Sequence, residues 1–290
     1  MKGGIRAILG GLILILAAAL LKWVVSPIAE QIPENHHQVI LLDAKYHLRD
    51  TQSANWQEER ILVKRTDQTI ALSNNVSILE GTVRWANARG EIIFQSSGIY
   101  GVNRFSRLND PAYGDDPRTG QFYFPPQTRP AIYSIWDPSY IGQRSAIFSH
   151  METVSGLQVY VFKFTGADMD ETQGYSSLPD VPETYFVHTD GWGQYWVEPV
   201  SGIVVDYEEN GDSYYIGKND GKKQGSVFTW SGRFTAESRA GQIELARALR
   251  RRFFILDGIG PGCLLLLGLI WIAIGVWTLW VGRSKAEVRG

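Results

Sequence analysis

Residues 195–209, YWVEPVSGIVVDYEE, set two β-forming runs on either side of the turn-forming residues 199–202. They predict a β-hairpin, in which alternate side chains point to opposite faces. One face is expected to hold Tyr195, Val197, Ile203, Val205 and Tyr207, and the other Gln194, Trp196, Glu198, Val204, Asp206 and Glu208. A catalytic carboxylate pair needs contrasting environments. A half-exposed sheet face offers none, so these acids are predicted to be structural.

Outward from this hairpin, short segments with strand composition are separated by connections rich in Asn, Asp, Gly and Pro. The predicted strands are residues 39–42, 60–64, 76–85, 91–100, 146–153, 157–164, 184–188, 194–198, 203–208, 213–217 and 227–234. Many short strands with frequent turns favour an antiparallel β-sheet, a sandwich or a partly closed barrel. The predicted fold class of residues 29–234 is therefore mainly β.

Two segments of this region are unusually apolar. Residues 157–164, LQVYVFKF, have apolar side chains on both faces of the predicted strand, so the strand is either covered on both sides or lines a cavity suited to an apolar ligand. Residues 122–142, FYFPPQTRPAIYSIWDPSYIG, are too rich in proline for a regular central strand. They predict an ordered segment that crosses over the sheet. We expect this segment to be buried against the core, and the alternative is that it forms a protein-binding surface.

Two apolar segments of membrane-spanning length flank the β region. Residues 259–281, IGPGCLLLLGLIWIAIGVWTLWV, carry no charge. As a helix they would extend about 34 Å, enough to cross a hydrocarbon core of about 30 Å. The other segment, residues 7–28, comes first in the chain, and its apolar stretch is longer than that of a signal peptide. Both are predicted to be transmembrane helices.

The charges outside these segments predict their orientation. Lys2 and Arg6 precede the first span, and Arg283, Lys285 and Arg289 follow the second. By the positive-inside rule, the tails 1–6 and 282–290 are cytoplasmic and residues from about 29 to 257 are outside the plasma membrane.

Residues 235–257 predict an amphipathic, membrane-proximal helix with Thr235 as its N-cap. Residues 26–234 have a net charge of −9, whereas residues 235–257 have a net charge of +2. Four of the helix's five arginines, Arg247, Arg250, Arg251 and Arg252, are candidates for contact with lipid phosphates. The alternatives are pairing with acids of the exported domain and a solvated helix face.

Small residues in the two spans predict close helix packing. The candidates for helix–helix contact are Ala7, Gly11, Gly258, Gly262, Gly268 and Gly275.

Three stretches together resemble a known family: FYFPPQTRPAIYSIWDPS, then YWVEPVSGIVVDYEE, then RFTAES before the final helices. They are similar to the PorA-type porins, two-pass envelope proteins of bacteria, mostly actinobacteria, whose function is largely unknown. The resemblance is strongest over residues 122–281. It implies a location in the bacterial plasma membrane and identifies no catalytic residues.

Motifs for catalysis or cofactor binding are absent from the sequence, and no cofactor or metal is predicted. The single cysteine, Cys263, excludes an intramolecular disulfide. Asp168, Asp170 and Glu171 resemble the start of a calcium loop, but Gly174 comes one position late, so calcium binding is not predicted. The near-neutral net charge of −2 does not favour nucleic acid as a partner.

The sequence therefore predicts a non-enzymatic envelope protein in contact with the lipid bilayer. Its exported β domain is expected to bind another envelope protein or an apolar or lipidic ligand. An oligomeric channel is the alternative, as the family's name suggests, and a hydrolase whose site forms only in the folded chain is a third hypothesis. The sequence leaves the oligomeric state open.

Overall fold

The computed structural model describes residues 2–49, 55–136, 143–172 and 181–287 of the 290-residue chain. The chain divides into two compact units. Met1–Gln31 and Ala248–Gly290 form a helical unit, and Ile32–Arg247 form a sheet unit.

The sheet unit contains eleven strands within the described residues. They are β1 (His37–Arg49), β2 (Trp56–Ser73), β3 (Val76–Asn87), β4 (Ile92–Asn103), β5 (Asn109–Gly114), β6 (Ile132–Trp136), β7 (Gln143–Val154), β8 (Leu157–Asp170), β9 (Tyr185–Glu198), β10 (Ile203–Gly217) and β11 (Lys223–Phe234). They form one sheet in the order β5-β4-β3-β2-β1-β11-β10-β9-β8-β7-β6. The predicted mainly β, antiparallel fold is confirmed.

Every pair of neighbouring strands is antiparallel. Consecutive strands pair as meanders, and the two meanders join where β1 pairs with β11. The ladder stays open at its edge strands, β5 and β6. Gln121, between these edges in sequence, forms single bridges with Leu108 and with Ile135.

The strand boundaries differ from the prediction at glycines and prolines. Residues 184–188 and 194–198 are parts of one strand, β9, and residues 203–208 and 213–217 are parts of β10. The segment 209–212, ENGD, looked like a turn, but a Cβ on Gly211 would overlap the ring of Trp230, so the glycine makes room for that ring inside a strand. The short edge strands β5 and β6 were not predicted.

The main core lies on one face of the sheet. Its buried cluster takes residues from eight strands and from the crossing segment, so the sheet curves around them. The cluster consists of Ile40, Leu42, Ile61, Val63, Val83, Phe124, Ile135, Ala146, Phe162, Phe164, Tyr195, Val197 and Tyr207. A smaller cluster extends this region with Ile32, Leu79, Tyr100, Val102 and Phe122.

A second core covers the opposite face of strands β8 to β10. There Val159, Val161 and Trp196 pack against Ile243 and Ala246 of helix α3 (Ala236–Phe253). Both faces of the apolar strand 157–164 are therefore covered, and of the two predicted alternatives the covered strand is confirmed.

The other helical segments are α1 (Lys2–Leu20), α2 (Ser26–Ala29) and α4 (Gly260–Glu287). Two π-helical turns lie between them in the chain, Leu21–Val25 after α1 and Phe254–Ile259 before α4. The stretches Gly3–Ala29 and Ala236–Val281 are long and apolar enough to cross a membrane.

Candidate functional site

Helices α1 and α4 form a close antiparallel pair through glycines. A Cβ atom placed on Gly11 would lie 2.5 Å from the carbonyl oxygen of Gly268, and one placed on Gly275 would lie 2.7 Å from the carbonyl oxygen of Gly4. Real Cβ atoms do not approach backbone oxygens this closely, so only glycine allows this separation.

The predicted small residues fall into two groups. Gly11, Gly268 and Gly275 lie in the contact, whereas a Cβ on Gly258 or Gly262 would meet no atom within 4 Å, so these two glycines lie outside it. Ala7 is half-buried. Sequence reasoning missed Gly4. Its spacing of seven residues from Gly11, equal to the spacing of Gly268 and Gly275, was the available signal.

The two π-helical turns lie side by side. A Cβ on Gly260 would be 2.9 Å from Cδ2 of Leu21. Lys22 Nζ and Asp257 Oδ1, one from each turn, are 3.9 Å apart, and both side chains are about half exposed. A π-helical turn inserts one residue into a helix. The buried residues Gly4, Gly11 and Ala18 of α1 are spaced by seven residues. The next buried residue, Ser26, follows Ala18 after eight residues, because the π-helical turn between them inserts one residue.

Four of the five arginines of α3, those at positions 247, 250, 251 and 252, are exposed. The Arg247 guanidinium donates a hydrogen bond to the carbonyl oxygen of Ser155, in the turn between β7 and β8. Arg247 therefore has a partner within its own domain. Contact of Arg250, Arg251 and Arg252 with lipid phosphates stays a prediction.

Aromatic rings fill the space inside the curved sheet. The ring of Phe124, from the crossing segment, lies 4.9 Å from that of Phe162 and 5.5 Å from that of Tyr195, measured between centroids. Phe164 and Tyr207 stack at 6.1 Å. The predicted burial of the crossing segment against the domain's own core is confirmed for Phe122, Phe124 and Ile135, whereas Ile132 is exposed, and residues 137–142 lie outside the described residues.

Two acids of the hairpin 195–209 form hydrogen bonds within the domain, as expected for structural residues, but they are more buried than predicted. Glu198 is fully buried and accepts hydrogen bonds from the backbone N–H and the hydroxyl of Ser201, at 2.8 and 2.7 Å. Asp206 is also buried, and its Oδ2 accepts a hydrogen bond of 2.6 Å from Arg233 and lies 3.3 Å from Nε of Arg239.

A β-bulge changes the predicted faces of this hairpin. The register shifts between Val204 and Asp206, because Val204 is opposite Val197 but Asp206 is opposite Trp196. The extra residue reverses the alternation. Val205 therefore packs under α3, on the opposite face from Tyr207, and Ile203 packs there with it. The single shared face predicted for Ile203, Val205 and Tyr207 is wrong.

A buried polar chain connects the start of the sheet unit to the crossing segment. The Tyr123 hydroxyl donates to Oδ2 of the buried Asp67 at 3.0 Å and lies 3.0 Å from Nε2 of His36, while Arg65 Nε donates to Asp67 at 3.0 Å. Burial lowers the pKa of His36 and raises the pKa of Tyr123 well above its usual value. The chain joins segments far apart in sequence, so no spacing rule could have predicted it.

The acidic segment 166–172 lies mostly in β8. His188 Nδ1 is 2.7 Å from Oδ1 of Asp168, and the Tyr214 hydroxyl donates to Asp168 and Asp190 at 3.3 and 3.2 Å. Gly174 lies outside the described residues. Among the residues that are described, no group of three or more histidine, cysteine or acidic side chains has the geometry to hold a metal ion.

The outer face of β1, β2 and β3 includes four exposed cations. Lys45 is directly opposite Arg60, and Lys64 is directly opposite Arg84, all four exposed. A transmembrane β-barrel needs an apolar band on this face. These strands are therefore suited to water.

These features define a class of protein: a chain with a helix of membrane-spanning length and composition at each end and an antiparallel β domain with a charged outer face between them. The chain belongs to the PorA family, since the family model described as Porin PorA matches residues 102–277. A comparison with curated proteins finds no match.

Proposed function

We propose that this protein is a non-enzymatic, two-pass protein of the bacterial plasma membrane, with both termini in the cytoplasm and the β domain outside. The β domain binds another envelope protein or an apolar or lipidic ligand. The observation that carries this proposal is the distribution of apolar surface. The helical unit exposes Leu, Ile and Trp side chains along both spans, whereas the sheet unit buries an aromatic cluster that includes Phe124, Phe162 and Tyr195 in its packed core.

Because the core is filled, partners are expected on the outer surface of the sheet. Ile132 of β6 and Ile147 of β7 are directly opposite each other, and their side chains are 66% and 51% exposed. A pair of large apolar side chains at a sheet edge is an anchor of the kind that protein and lipid partners use.

The test is native mass spectrometry of the full chain extracted from its own membranes in mild detergent. A defined protein or lipid is expected to co-purify, and the variant with Ile132→Lys and Ile147→Lys is expected to lose it. Ile92→Lys is the matched control, because Ile92 is 57% exposed on β4. Recovery of the bare chain alone, or equal loss in the control, would contradict the proposal.

An oligomeric channel is the second candidate, favoured by the family's description as a porin. Its path would run between the helices of several copies, because aromatic rings occupy the inside of the sheet. Planar-bilayer recording of the purified chain decides this point. Discrete conductance steps support the channel, and their absence at all protein concentrations removes it.

A further inference from the structure

A basic patch lies on the outer face of β1, β2 and β3. It consists of Lys45, Arg60, Lys64 and Arg84, all exposed. Lys45 faces Arg60 across the β1–β2 ladder, and Lys64 faces Arg84 across the β2–β3 ladder. Like charges directly opposite each other destabilise an antiparallel pair, so the fold carries two unfavourable pairs side by side.

Two acids lie beside the patch, Asp43 and Glu58, so its four cations keep an excess of positive charge. Among the described residues, none of the four cations forms an ion pair with a carboxylate. Asp43, the acid between them, is opposite Leu62, and Glu58 is held by His47 at 2.7 Å. The hydrogen bond from His47, and then the charges of Lys45 and Arg60, lower the pKa of Glu58, so this carboxylate offsets part of the charge of that pair.

The two pairs are spaced for an extended ligand. Arg60 and Lys64 are four residues apart on β2, which corresponds to about 13 Å along the strand. In each pair a lysine and an arginine are directly opposite each other and exposed on the same face of the sheet. One anionic group at each pair would relieve the repulsion there.

We propose that the basic patch binds a linear polymer that carries repeated phosphate groups, with one phosphate at Lys45 and Arg60 and another at Lys64 and Arg84. Each internal phosphate of such a polymer has two non-bridging oxygens and one negative charge, so it can accept hydrogen bonds from both cations of a pair, and arginine can bind it through two nitrogens. Since residues 26–234 have a net charge of −9, the domain as a whole repels polyanions and binding depends on this local patch. The patch is separate from the apolar edge at Ile132 and Ile147, so its test is independent of the proposed function.

The probe is inorganic polyphosphate, titrated into the full chain in a neutral detergent and followed by calorimetry at two salt concentrations. The patch variant combines Lys45→Gln, Arg60→Gln, Lys64→Gln and Arg84→Gln. It is expected to bind at least about tenfold more weakly, because it removes the charge-assisted hydrogen bonds that the four cations donate to phosphate. Affinity of the unmodified chain should fall as salt rises.

A charge-matched control combines Arg89→Gln, Lys163→Gln, Lys218→Gln and Lys222→Gln, four exposed cations elsewhere on the sheet unit. It changes the net charge equally and is expected to keep the unmodified chain's affinity. The patch variant should melt at the same temperature or higher, because the substitutions remove two like-charge pairs. If it fails to fold, the charge-keeping swap Lys45→Arg, Arg60→Lys, Lys64→Arg and Arg84→Lys replaces it and should retain binding.

Equal loss of affinity in the patch variant and the control would overturn the proposal. So would tighter binding of polyglutamate than of polyphosphate at equal charge, because that result assigns an acidic peptide as the ligand. Failure of the polyphosphate titration with continued co-purification of an envelope partner would overturn this inference and leave the proposed function standing.

Discussion

Asp206 shows how one residue's environment can differ from the one its sequence pattern suggests. Its carboxylate is buried beside Arg233 and Arg239, which are about half exposed. The bulge after Val204 sets this position, because it places Asp206 opposite Trp196 on the face that α3 covers. The acid therefore connects β10, β11 and the start of α3.

Asp206→Asn keeps the shape of the side chain but removes its charge, which leaves the two arginines without their carboxylate. We expect the free energy of unfolding to fall by about 2–4 kcal/mol, somewhat less than the roughly 3–5 kcal/mol for a fully buried ion pair, because water screens the half-exposed arginines. Denaturant unfolding of the full chain in detergent, followed by tryptophan fluorescence, measures this change. Asp116→Asn at an exposed position is the control and should change the value by less than about 0.5 kcal/mol. Equal stability of the two variants would contradict the structural role of Asp206.

His36 predicts a loss of stability at mildly acidic pH. Burial lowers its pKa in the folded state, Arg107, His37 and Arg65 lower it further, and Asp67 opposes the shift. The unfolded chain retains the ordinary pKa of 6.5. Below that pH the unfolded state takes up a proton that the folded state does not, so the free energy of unfolding falls until the pH reaches the folded pKa.

In His36→Gln the melting temperature should therefore depend less on pH than in the unmodified chain, between about pH 6.5 and 5. His150→Gln, at an exposed position, provides the comparison, and its melting temperature is expected to depend on pH as in the unmodified chain. Identical slopes in all three proteins would show that His36 does not control the acid response.

At the scale of whole elements, glycines determine how closely α1 and α4 pack. The contact uses Gly4 and Gly11 on one helix and Gly268 and Gly275 on the other, at intervals of seven residues on each. A repeat of seven keeps one face of a helix toward its partner.

Gly11→Ala would place a methyl group 2.5 Å from the Gly268 carbonyl oxygen. We expect it to destabilise the helix pair by about 1–3 kcal/mol, the cost of overpacking. Gly262→Ala is the matched control, because it makes the same change in α4 where no atom lies within 4 Å. The control should be neutral or stabilising, since alanine favours a helix over glycine by about 1 kcal/mol. Thermal unfolding in detergent distinguishes the two, and a harmless Gly11→Ala would exclude this helix contact.

At the scale of the whole molecule, the positive-inside rule makes a prediction about topology. In a chain with Cys263→Ser, a membrane-impermeant maleimide should label Asp116→Cys in intact cells, because residue 116 belongs to the domain that we propose is outside the membrane. It should label Ser284→Cys only after the membrane is permeabilised, because residue 284 belongs to the tail that we propose is cytoplasmic. The reverse pattern would invert the proposed orientation.

Much of the fold could be predicted because its signals are local. Each predicted strand segment lies within or overlaps an observed strand, and the helical stretches contain the two predicted apolar spans. The merged strands β9 and β10 were missed because their glycines, Gly191, Gly193 and Gly211, resemble turn signals. In the folded chain these glycines lie within the strands, and aromatic rings occupy the space beside Gly193 and Gly211.

The candidate sites were less predictable because they depend on contacts between distant segments. Gly11 and Gly268 were named from their spacing, but spacing alone also named Gly258 and Gly262, which lie outside the contact. The basic patch was not predicted, because its cations come from three strands and become neighbours only through the register of the sheet.

The sequence by itself determined the mainly β character of the central region and the two helices of membrane-spanning length. Both follow from hydrophobic pattern and length, which are properties of contiguous residues. Only the tertiary structure decided that β1 pairs with β11, that Phe124 fills the core and that Asp206 is buried. The physical reason is that strand partners can lie anywhere in the chain, and a single inserted residue at a bulge exchanges the faces of the side chains that follow it.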